Sequence, residues 1–295
     1  MPSLNYAAPT SVQEAVALLA GAAGLAKPMS GGTDLLVQLR SGRLKPELIV
    51  DTKHIPGMIG ITQSADGFEI GAATSGAMME AHVALKAAYP GVVEAMDLIG
   101  SEQIQGRATL AGNLCNASPA ADSVPAMIAA GAVAVIVGPK GERTAPVETI
   151  GIAPGRTSLA KDEFIRAIRL PALAPRSSDA YLRFIPRTEM DIAVVGCGIC
   201  LTLDAGGTCT AARVALGAVA PTVLLVPAAA DALIGHKLDD ATLARLDAAA
   251  QAACKPIDDK RGTIVYRTKV AGVLARRVAA IAFDRALGKT SAKTH

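Results

Sequence analysis

Residues 101–125, SEQIQGRATLAGNLCNASPAADSVP, place the strongest constraint on how this chain can fold. No charged side chain lies between Arg107 and Asp122, and small or turn-forming residues occur throughout. The centre of the segment is a run of small residues that includes Thr109, Ala111, Gly112 and Asn113. Backbone N–H groups in such a run can come close to an anion because no bulky side chain lies in the way. We therefore predict a loop that binds phosphate.

A second stretch of the same character lies upstream, at residues 27–35 with the sequence KPMSGGTDL. Gly31 and Gly32 interrupt two apolar segments, and a helix-like pattern begins near Asp34. Either stretch alone fits an ordinary tight turn or helix N-terminus. Together they could hold the two negative charges of one diphosphate, because backbone amides and the positive end of a helix both favour anions.

Size and charge limit the remaining possibilities. A chain of 295 residues exceeds the usual size of a single core, so two or three subdomains are expected. The formal net charge of +3 is nearly balanced, which predicts no nucleic-acid partner. No long uncharged apolar run occurs, and the N-terminus lacks a basic and an apolar targeting region. We expect a cytoplasmic protein with no membrane insertion.

The cysteines and histidines predict no metal site. Five cysteines in a long chain do not form a disulfide framework. Cys197 and Cys200 form a CxxC pair inside a strand-like apolar segment, where structural cysteine is the better interpretation. The histidines at 54, 82 and 236 lack ligand spacing, and we interpret them as surface or capping residues. A basic cluster at Lys260, Arg261, Arg267 and Lys269 is interpreted as a solvated face, with a docked partner as the alternative.

Periodicity and turn residues predict three structural regions. Residues 6–51 read as β-α-β-α-β with a small parallel sheet, with Ser11 and Glu14 as a capping box. The middle region reads as α+β, with hairpins at 61–73 and 133–145 and a strand at 164–170. Residues 171–180 read as a linker. Three strands and three helices follow, the last helix at 269–287, and they favour an antiparallel sheet backed by helices.

In the order and spacing of its motifs, most of the chain resembles the flavoprotein (medium) subunits of molybdenum hydroxylases, the xanthine dehydrogenase and carbon monoxide dehydrogenase family. The segments that carry the resemblance are PTSVQEAVALLA, PMSGGTDLLVQLRSG, PELIVD, IGAATS, GSEQIQGRATLAGNLCNASPAADSVPAMIAAGA, DEFIRAIRLP, DIAVVGCGI and LGAVAPT. In the family, the second of the two small-residue segments more often ends in Gly-Gly, whereas Ala111 precedes Gly112 here.

The resemblance implies an α+β protein: a two-subdomain FAD-binding fold of the PCMH or vanillyl-alcohol-oxidase-like type, followed by a C-terminal antiparallel sheet with helices like that of the carbon monoxide dehydrogenase flavoprotein. The expected domains are an N-terminal β-α-β subdomain at 1–56, a second α+β subdomain at 57–173 and a C-terminal α+β domain at 178–288, with a disordered tail at 289–295. The resemblance also implies no catalytic residue and no metal ligand on this chain. The implied FAD-binding residues are Pro28, Met29, Ser30, Gly31, Gly32, Thr33, Asp34, Leu35, Ile99, Gly100, Thr109, Ala111, Gly112, Asn113 and Asp122.

The implied function is electron transfer. FAD on this chain would take electrons from [2Fe–2S] clusters on a small partner subunit and pass them to an external acceptor, while a large subunit carries the molybdopterin cofactor. A dimer of heterotrimers is the expected assembly. Two alternatives stay open: a free-standing FAD-dependent oxidoreductase, for which the four Tyr, four Phe and absent Trp offer a poor substrate cap, and a scaffold that has lost its flavin.

Overall fold

The computed structural model describes residues 4–187 and 190–289, and the expected disordered tail therefore lies almost wholly outside the described residues. The first sheet is parallel, with the strand order β1-β3-β2, as the β-α-β-α-β pattern predicts. Its elements are β1 (Asn5–Ala7), α1 (Val12–Gly21), β2 (Ala26–Met29), α2 (Thr33–Arg40) and β3 (Leu48–Asp51).

The start of α1 confirms the predicted N-cap and corrects one detail of the capping box. Ser11 Oγ accepts a hydrogen bond from the Glu14 N–H at 3.1 Å. The Glu14 carboxylate reaches back to the N–H of Thr10 at 2.8 Å, one residue before the cap itself. Both bonds provide acceptors for backbone N–H groups at the start of α1, which have no partner within the helix.

The second sheet is antiparallel, has five strands and takes the order β4-β5-β10-β6-β7. Its strands are β4 (Ile61–Ser64), β5 (Gly67–Gly71), β6 (Val133–Gly138), β7 (Gly141–Pro146) and β10 (Phe164–Pro171), and the short β8 (Gly151–Ala153) and β9 (Arg156–Thr157) pair separately. Six short helices lie between β5 and β6: α3 (Gly76–Glu80), α4 (Val83–Ala88), α5 (Pro90–Asp97), α6 (Glu102–Gln105), α7 (Leu110–Asn116) and α8 (Ser123–Ala129). Both predicted hairpins are present. His82 is a capping residue as predicted, because its Nδ1 accepts from the Leu85 N–H.

The third sheet is antiparallel with the order β11-β12-β13-β14. Its elements are β11 (Ser177–Phe184), β12 (Val195–Leu203), β13 (Cys209–Gly217), β14 (Leu224–Leu225), α9 (Pro227–Asp231), α10 (Asp240–Ala253) and α11 (Ile264–Ala286). Two boundaries differ from the prediction. The linker is shorter, because β11 already begins at Ser177, and α11 begins five residues early, because Thr263 Oγ1 caps it by accepting from the Tyr266 N–H.

Two hydrophobic cores hold these sheets. One core is shared by the first two sheets and runs from Ala15 to Leu170, with Tyr181 and Ala215 added from the third sheet. The other is built by β11–β13 against α9–α11. Along the described ranges, no helix is long and apolar enough to span a lipid bilayer.

A buried carboxylate joins the C-terminal sheet to the middle region. Asp179 on β11 is 1% exposed, and its two oxygens accept from the N–H groups of Gly91 and Val92, each at 2.9 Å. These groups are the unsatisfied donors in the first turn of α5. Asp179 is therefore a cap for α5 that is supplied by a distant strand.

Candidate functional site

A cleft of about 970 Å³ lies between the first two sheets. Its walls are β2 and the turn after it, α2, α7, and a segment from Pro154 to Ile165 around β9. All of the predicted FAD-binding residues line it except Gly100 and Asp122. The cleft has the size expected for a large small-molecule ligand and lies at the carboxyl ends of parallel strands, where dinucleotides bind in open α/β sheets.

The first predicted loop provides a helix N-terminus that faces this cleft. Gly32 is the N-cap of α2 with φ of 81°, a left-handed conformation that favours glycine. No side chain caps the helix at this end, and Thr33, Asp34 and Leu35 of its first turn line the cleft. Uncapped N–H groups and the helix dipole together favour a bound anion. Burial raises the pKa of the Asp34 carboxyl in the same turn.

The second predicted loop is helix α7 rather than an irregular loop. Its cap is Thr109, whose Oγ1 accepts from the Gly112 N–H at 2.9 Å, while its carbonyl accepts from the Asn113 N–H at 3.0 Å. The N–H groups of Gly112 and Asn113 therefore already have protein acceptors, and FAD binding by Thr109, Ala111, Gly112 and Asn113 stays a prediction. The Asn113 side chain is also engaged, since its Oδ1 accepts from the Ser123 Oγ–H at 2.7 Å.

Small residues in α7 also allow this helix to pack closely against the protein core. Ala111 lies inside the helix and is 3% exposed, so no positive φ is needed where the family more often has glycine. Ile99 lines the cleft, whereas Gly100 does not. Gly100 has φ of 63° and lies against the Ile104 side chain, where a Cβ would come within 2.8 Å of Ile104 Cβ. The turn before α6 therefore accounts for glycine at position 100.

Asp122 has partners in the C-terminal domain rather than in the cleft. One oxygen accepts from Tyr181 Oη at 3.0 Å and the other from Arg183 Nη1 at 2.7 Å. Burial raises the pKa of Asp122 to about 6, although the charge of Arg183 and the hydrogen bonds from both partners act in the opposite direction. A contact between Asp122 and the ribityl or adenosine part of FAD stays a prediction; both of its oxygens already have protein partners.

Sequence reasoning missed several residues that line the cleft. Lys27 begins the segment KPMSGGTDL but was not among the predicted FAD-binding residues; it lies on β2 and lines the cleft. Gln38 on α2 donates from Nε2 to Asn116 Oδ1 on α7 at 3.0 Å, so this hydrogen bond links the two predicted segments across the cleft. Cys115 also lines it, and burial raises the pKa of its thiol to about 12. No sequence pattern in residues 154–165 indicates that this segment forms a wall of the cleft.

The basic cluster of the C-terminal domain is not a solvated face as a whole. Arg267 is 4% exposed, and its guanidinium donates to the Val194 carbonyl at 2.7 Å and to Asp259 Oδ1 at 2.6 Å. Arg261 lies 3.3 Å from Asp191. These arginines instead hold the start of α11 and the segment before it against the sheet, which the sequence could not show because the partners are distant.

The metal-site prediction can be compared with the described part of the chain. All five cysteines are free, and Cys197 and Cys200 lie in strand β12 as expected. No group of three or more His, Cys, Asp or Glu side chains is placed to hold a metal ion within residues 4–187 and 190–289.

The N-terminus of α2 and the cleft of about 970 Å³ beside it are compatible with a dinucleotide cofactor such as FAD. A family model described as the FAD-binding domain in molybdopterin dehydrogenase matches residues 2–173, and one described as the carbon monoxide dehydrogenase flavoprotein C-terminal domain matches residues 180–282. The chain belongs to this family of FAD-binding medium subunits of molybdenum hydroxylases.

Curated relatives agree with this assignment. The chain is 33% identical over 284 residues to the carbon monoxide dehydrogenase medium chain of Hydrogenophaga pseudoflava, covering 96% of this chain and 98% of that one. It is 30% identical over 285 residues to the 6-hydroxypseudooxynicotine dehydrogenase complex subunit alpha of Paenarthrobacter nicotinovorans, covering 97% and 96%. It is 29% identical over 266 residues to the xanthine dehydrogenase FAD-binding subunit of Escherichia coli O157:H7, covering 90% and 91%.

Solved structures show the same architecture. The carbon monoxide dehydrogenase from Hydrogenophaga pseudoflava that lacks the Mo-pyranopterin moiety of its cofactor matches with a TM-score of 0.91 at 34% identity, covering 97% of this chain and 99% of that chain. Quinoline 2-oxidoreductase from Pseudomonas putida 86 matches with a TM-score of 0.88 at 26% identity and the same coverage. The predicted fold class is therefore confirmed over nearly the whole chain.

Proposed function

We propose that this chain holds FAD in the cleft between its first two sheets, takes electrons from [2Fe–2S] clusters of a small partner subunit and passes them to an external acceptor. The observation that carries the binding site is the uncapped N-terminus of α2, which begins at Gly32 and faces a cleft of about 970 Å³. When bound, FAD supplies the capacity to exchange electrons singly or in pairs.

The residues of this chain bind and orient the cofactor in this proposal. The first-turn amides of α2 and Lys27, which lines the same cleft, neutralise the diphosphate, and the small residues of α7 allow the ligand to lie close to the backbone. The hydrogen bond between Gln38 and Asn116 keeps α2 and α7 at a fixed separation.

The partners belong to the same proposal: a small iron–sulfur subunit and a large molybdopterin subunit, in a dimer of heterotrimers. It is supported by relatives whose names describe a medium chain and a complex subunit. Exposed apolar side chains next to the cleft also support a partner on this side, namely Leu36 and Val37 on α2 and Ile152 on β8, which are 47%, 65% and 53% exposed.

Reconstitution tests the electron-transfer role. The purified chain is loaded with FAD, mixed anaerobically with candidate reductants such as an aldehyde, a purine or an N-heterocycle, and followed by flavin absorbance. We expect no rapid reduction until the iron–sulfur and molybdenum subunits are added. Rapid reduction of the isolated chain by one of these compounds would instead favour the free-standing oxidoreductase, and a chain that takes up no FAD would favour the scaffold.

A further inference from the structure

Two side chains after β3 hold the carbonyl groups of the glycine turn. Thr52 Oγ1 donates to the Met29 carbonyl at 3.1 Å, and Lys53 Nζ donates to the Ser30 carbonyl at 3.2 Å. Met29 and Ser30 immediately precede Gly31, where the cleft-lining turn begins. The turn is therefore fixed from the side of β3 by two donors that the family resemblance did not point to.

The Lys53 contact also determines where an N–H group points. In a planar trans peptide the carbonyl and the N–H are directed to opposite sides. Because Lys53 holds the Ser30 carbonyl on its own side, the Gly31 N–H of the same peptide is directed away from Lys53. Over the described ranges, no protein acceptor takes the Gly31 N–H, and Gly31 lines the cleft. Lys53 itself does not line the cleft.

Asp51 fixes the Lys53 ammonium in turn. Its Oδ1 accepts from Lys53 Nζ at 2.6 Å and from the Lys53 N–H at 3.1 Å, while its Oδ2 accepts from Tyr6 Oη at 2.7 Å. Asp51 is 3% exposed. Burial by itself would raise the pKa of Asp51, but the hydrogen bonds from Lys53 and Tyr6 lower it below its ordinary value. The carboxylate therefore stays charged, as the contact with Lys53 requires.

These contacts join the three strands of the first sheet at one edge. Tyr6 lies on β1, Asp51 ends β3, and Ser30 follows β2. We propose that Tyr6, Asp51 and Lys53 form a brace that positions the Gly31 N–H toward the FAD diphosphate, with Lys53 as a positioning residue. This inference rests on the proposed FAD site. It assigns a role to residues outside the cleft lining.

Titration of the full-length apoprotein with FAD tests the brace, with binding followed by quenching of flavin fluorescence. Lys53→Met keeps the aliphatic stem and removes the donor, and we expect it to weaken FAD binding about tenfold, the size typical of one hydrogen bond from a charged group. Lys53→Arg retains a cation and donors, so it should restore most of the affinity. The matched control is Lys86→Met on α4, which removes a surface ion pair with Glu80 on α3 and should leave FAD affinity unchanged.

Two further measurements separate positioning from other roles. Tyr6→Phe should weaken binding by a smaller factor, and it should add nothing to Lys53→Met, because both act through the same contact. The decrease in FAD affinity caused by Lys53→Met should also be the same at low and high salt concentration. A decrease that becomes smaller as the salt concentration is raised would show that the charge of Lys53 acts directly on the ligand, and it would overturn the positioning role.

The remaining outcomes are also decisive. Equal FAD affinity in wild type and Lys53→Met, with unchanged thermal unfolding of both apoproteins, would overturn the brace while leaving the FAD site intact. If Lys53→Met does not fold, Tyr6→Phe and Lys53→Arg decide the question, since neither removes the cation; unchanged affinity in Tyr6→Phe would then overturn the brace. A wild-type chain that binds no FAD would contradict the proposed function itself.

Discussion

A Cβ atom built on Gly31 would lie 1.8 Å from the carbonyl oxygen of Arg107, far inside van der Waals contact. The turn that begins α2 therefore packs directly on the backbone that leads into α7. Glycine at this position is required by contact between two protein segments, whereas the sequence suggested only close approach to a phosphate. The same contact sets the distance between the two walls of the cleft.

Gly31→Ala should destabilise the protein and reduce its FAD content. The added methyl group has to displace backbone rather than a flexible side chain, and overpacking of this kind costs about 1–3 kcal/mol. Urea unfolding and the flavin-to-protein absorbance ratio measure the two effects. Gly21→Ala is the control, because nothing lies within 4 Å of a Cβ at Gly21. Equal stability of Gly31→Ala and wild type would contradict the close contact.

Gly32→Val tests the helix N-terminus as the diphosphate site. Valine is strained at φ of 81°, which costs on the order of 1–3 kcal/mol. We expect the chain to fold and to lose FAD at limiting cofactor concentration. Gly235→Val introduces valine at φ of 82° in open space in the C-terminal domain, so it carries comparable backbone strain. Full FAD content in Gly32→Val would place the diphosphate elsewhere.

FAD should be bound without a covalent link, although Cys115 lines the cleft. Burial raises the pKa of its thiol to about 12, so almost none of the reactive thiolate is present at neutral pH. Acid precipitation should release all flavin into the supernatant, and Cys115→Ser should retain the wild-type flavin content. Flavin that stays with the precipitated wild-type protein and is released from Cys115→Ser would show a thioether link.

Stability should depend on pH through Asp179. Burial raises the pKa of this carboxyl from 3.8 to about 7, with the N–H groups of Gly91 and Val92 acting in the opposite direction. The pKa of Asp179 is higher in the folded protein than in the unfolded chain. Its protonation therefore contributes fully to the free energy of unfolding below pH 4, and this contribution is lost as the pH rises through 7. The rise in pKa from 3.8 to about 7 corresponds to a change of about 4 kcal/mol in the free energy of unfolding.

Asp179→Asn, which has the charge of the protonated acid at every pH, provides the comparison. Urea unfolding of both proteins from pH 4 to pH 8 should show the free energy of unfolding of wild type falling relative to the variant. Other titrating carboxyls, such as Asp122, cancel in this difference. A wild type that gains stability relative to the variant as the pH rises would show that capping of α5 favours the charged form.

Local patterns in the sequence predicted most of the secondary structure. The alternation of strand and helix before Asp51 predicted the parallel sheet, and the hairpin predicted at 61–73 is the β4–β5 hairpin. Ser11 could be recognised as a cap because a cap needs only residues three or four positions away. The motif order also predicted the family, which the matches over residues 2–173 and 180–282 confirm.

The second predicted segment, residues 109–113, shows what local sequence patterns could not predict. A run of small residues is compatible with an open loop or with a tightly packed helix. Here the helix forms because Thr109 caps its N-terminus and because Leu110 and Leu114 are buried. The sequence predicted that Thr109 to Asn113 lie at the site, but only the helix shows that the Gly112 N–H already has a protein acceptor.

By itself, then, the sequence determined the elements, the family and the position of the glycine turn, since each depends on residues close together along the chain. Only the tertiary structure decided the roles that depend on distant partners. Asp122 forms an ion pair with Arg183, and Gly31 packs on the backbone carbonyl of Arg107. Lys53 donates a hydrogen bond to the Ser30 carbonyl. No local pattern encodes these contacts, because the free energy that selects them comes from packing the sheets and helices together.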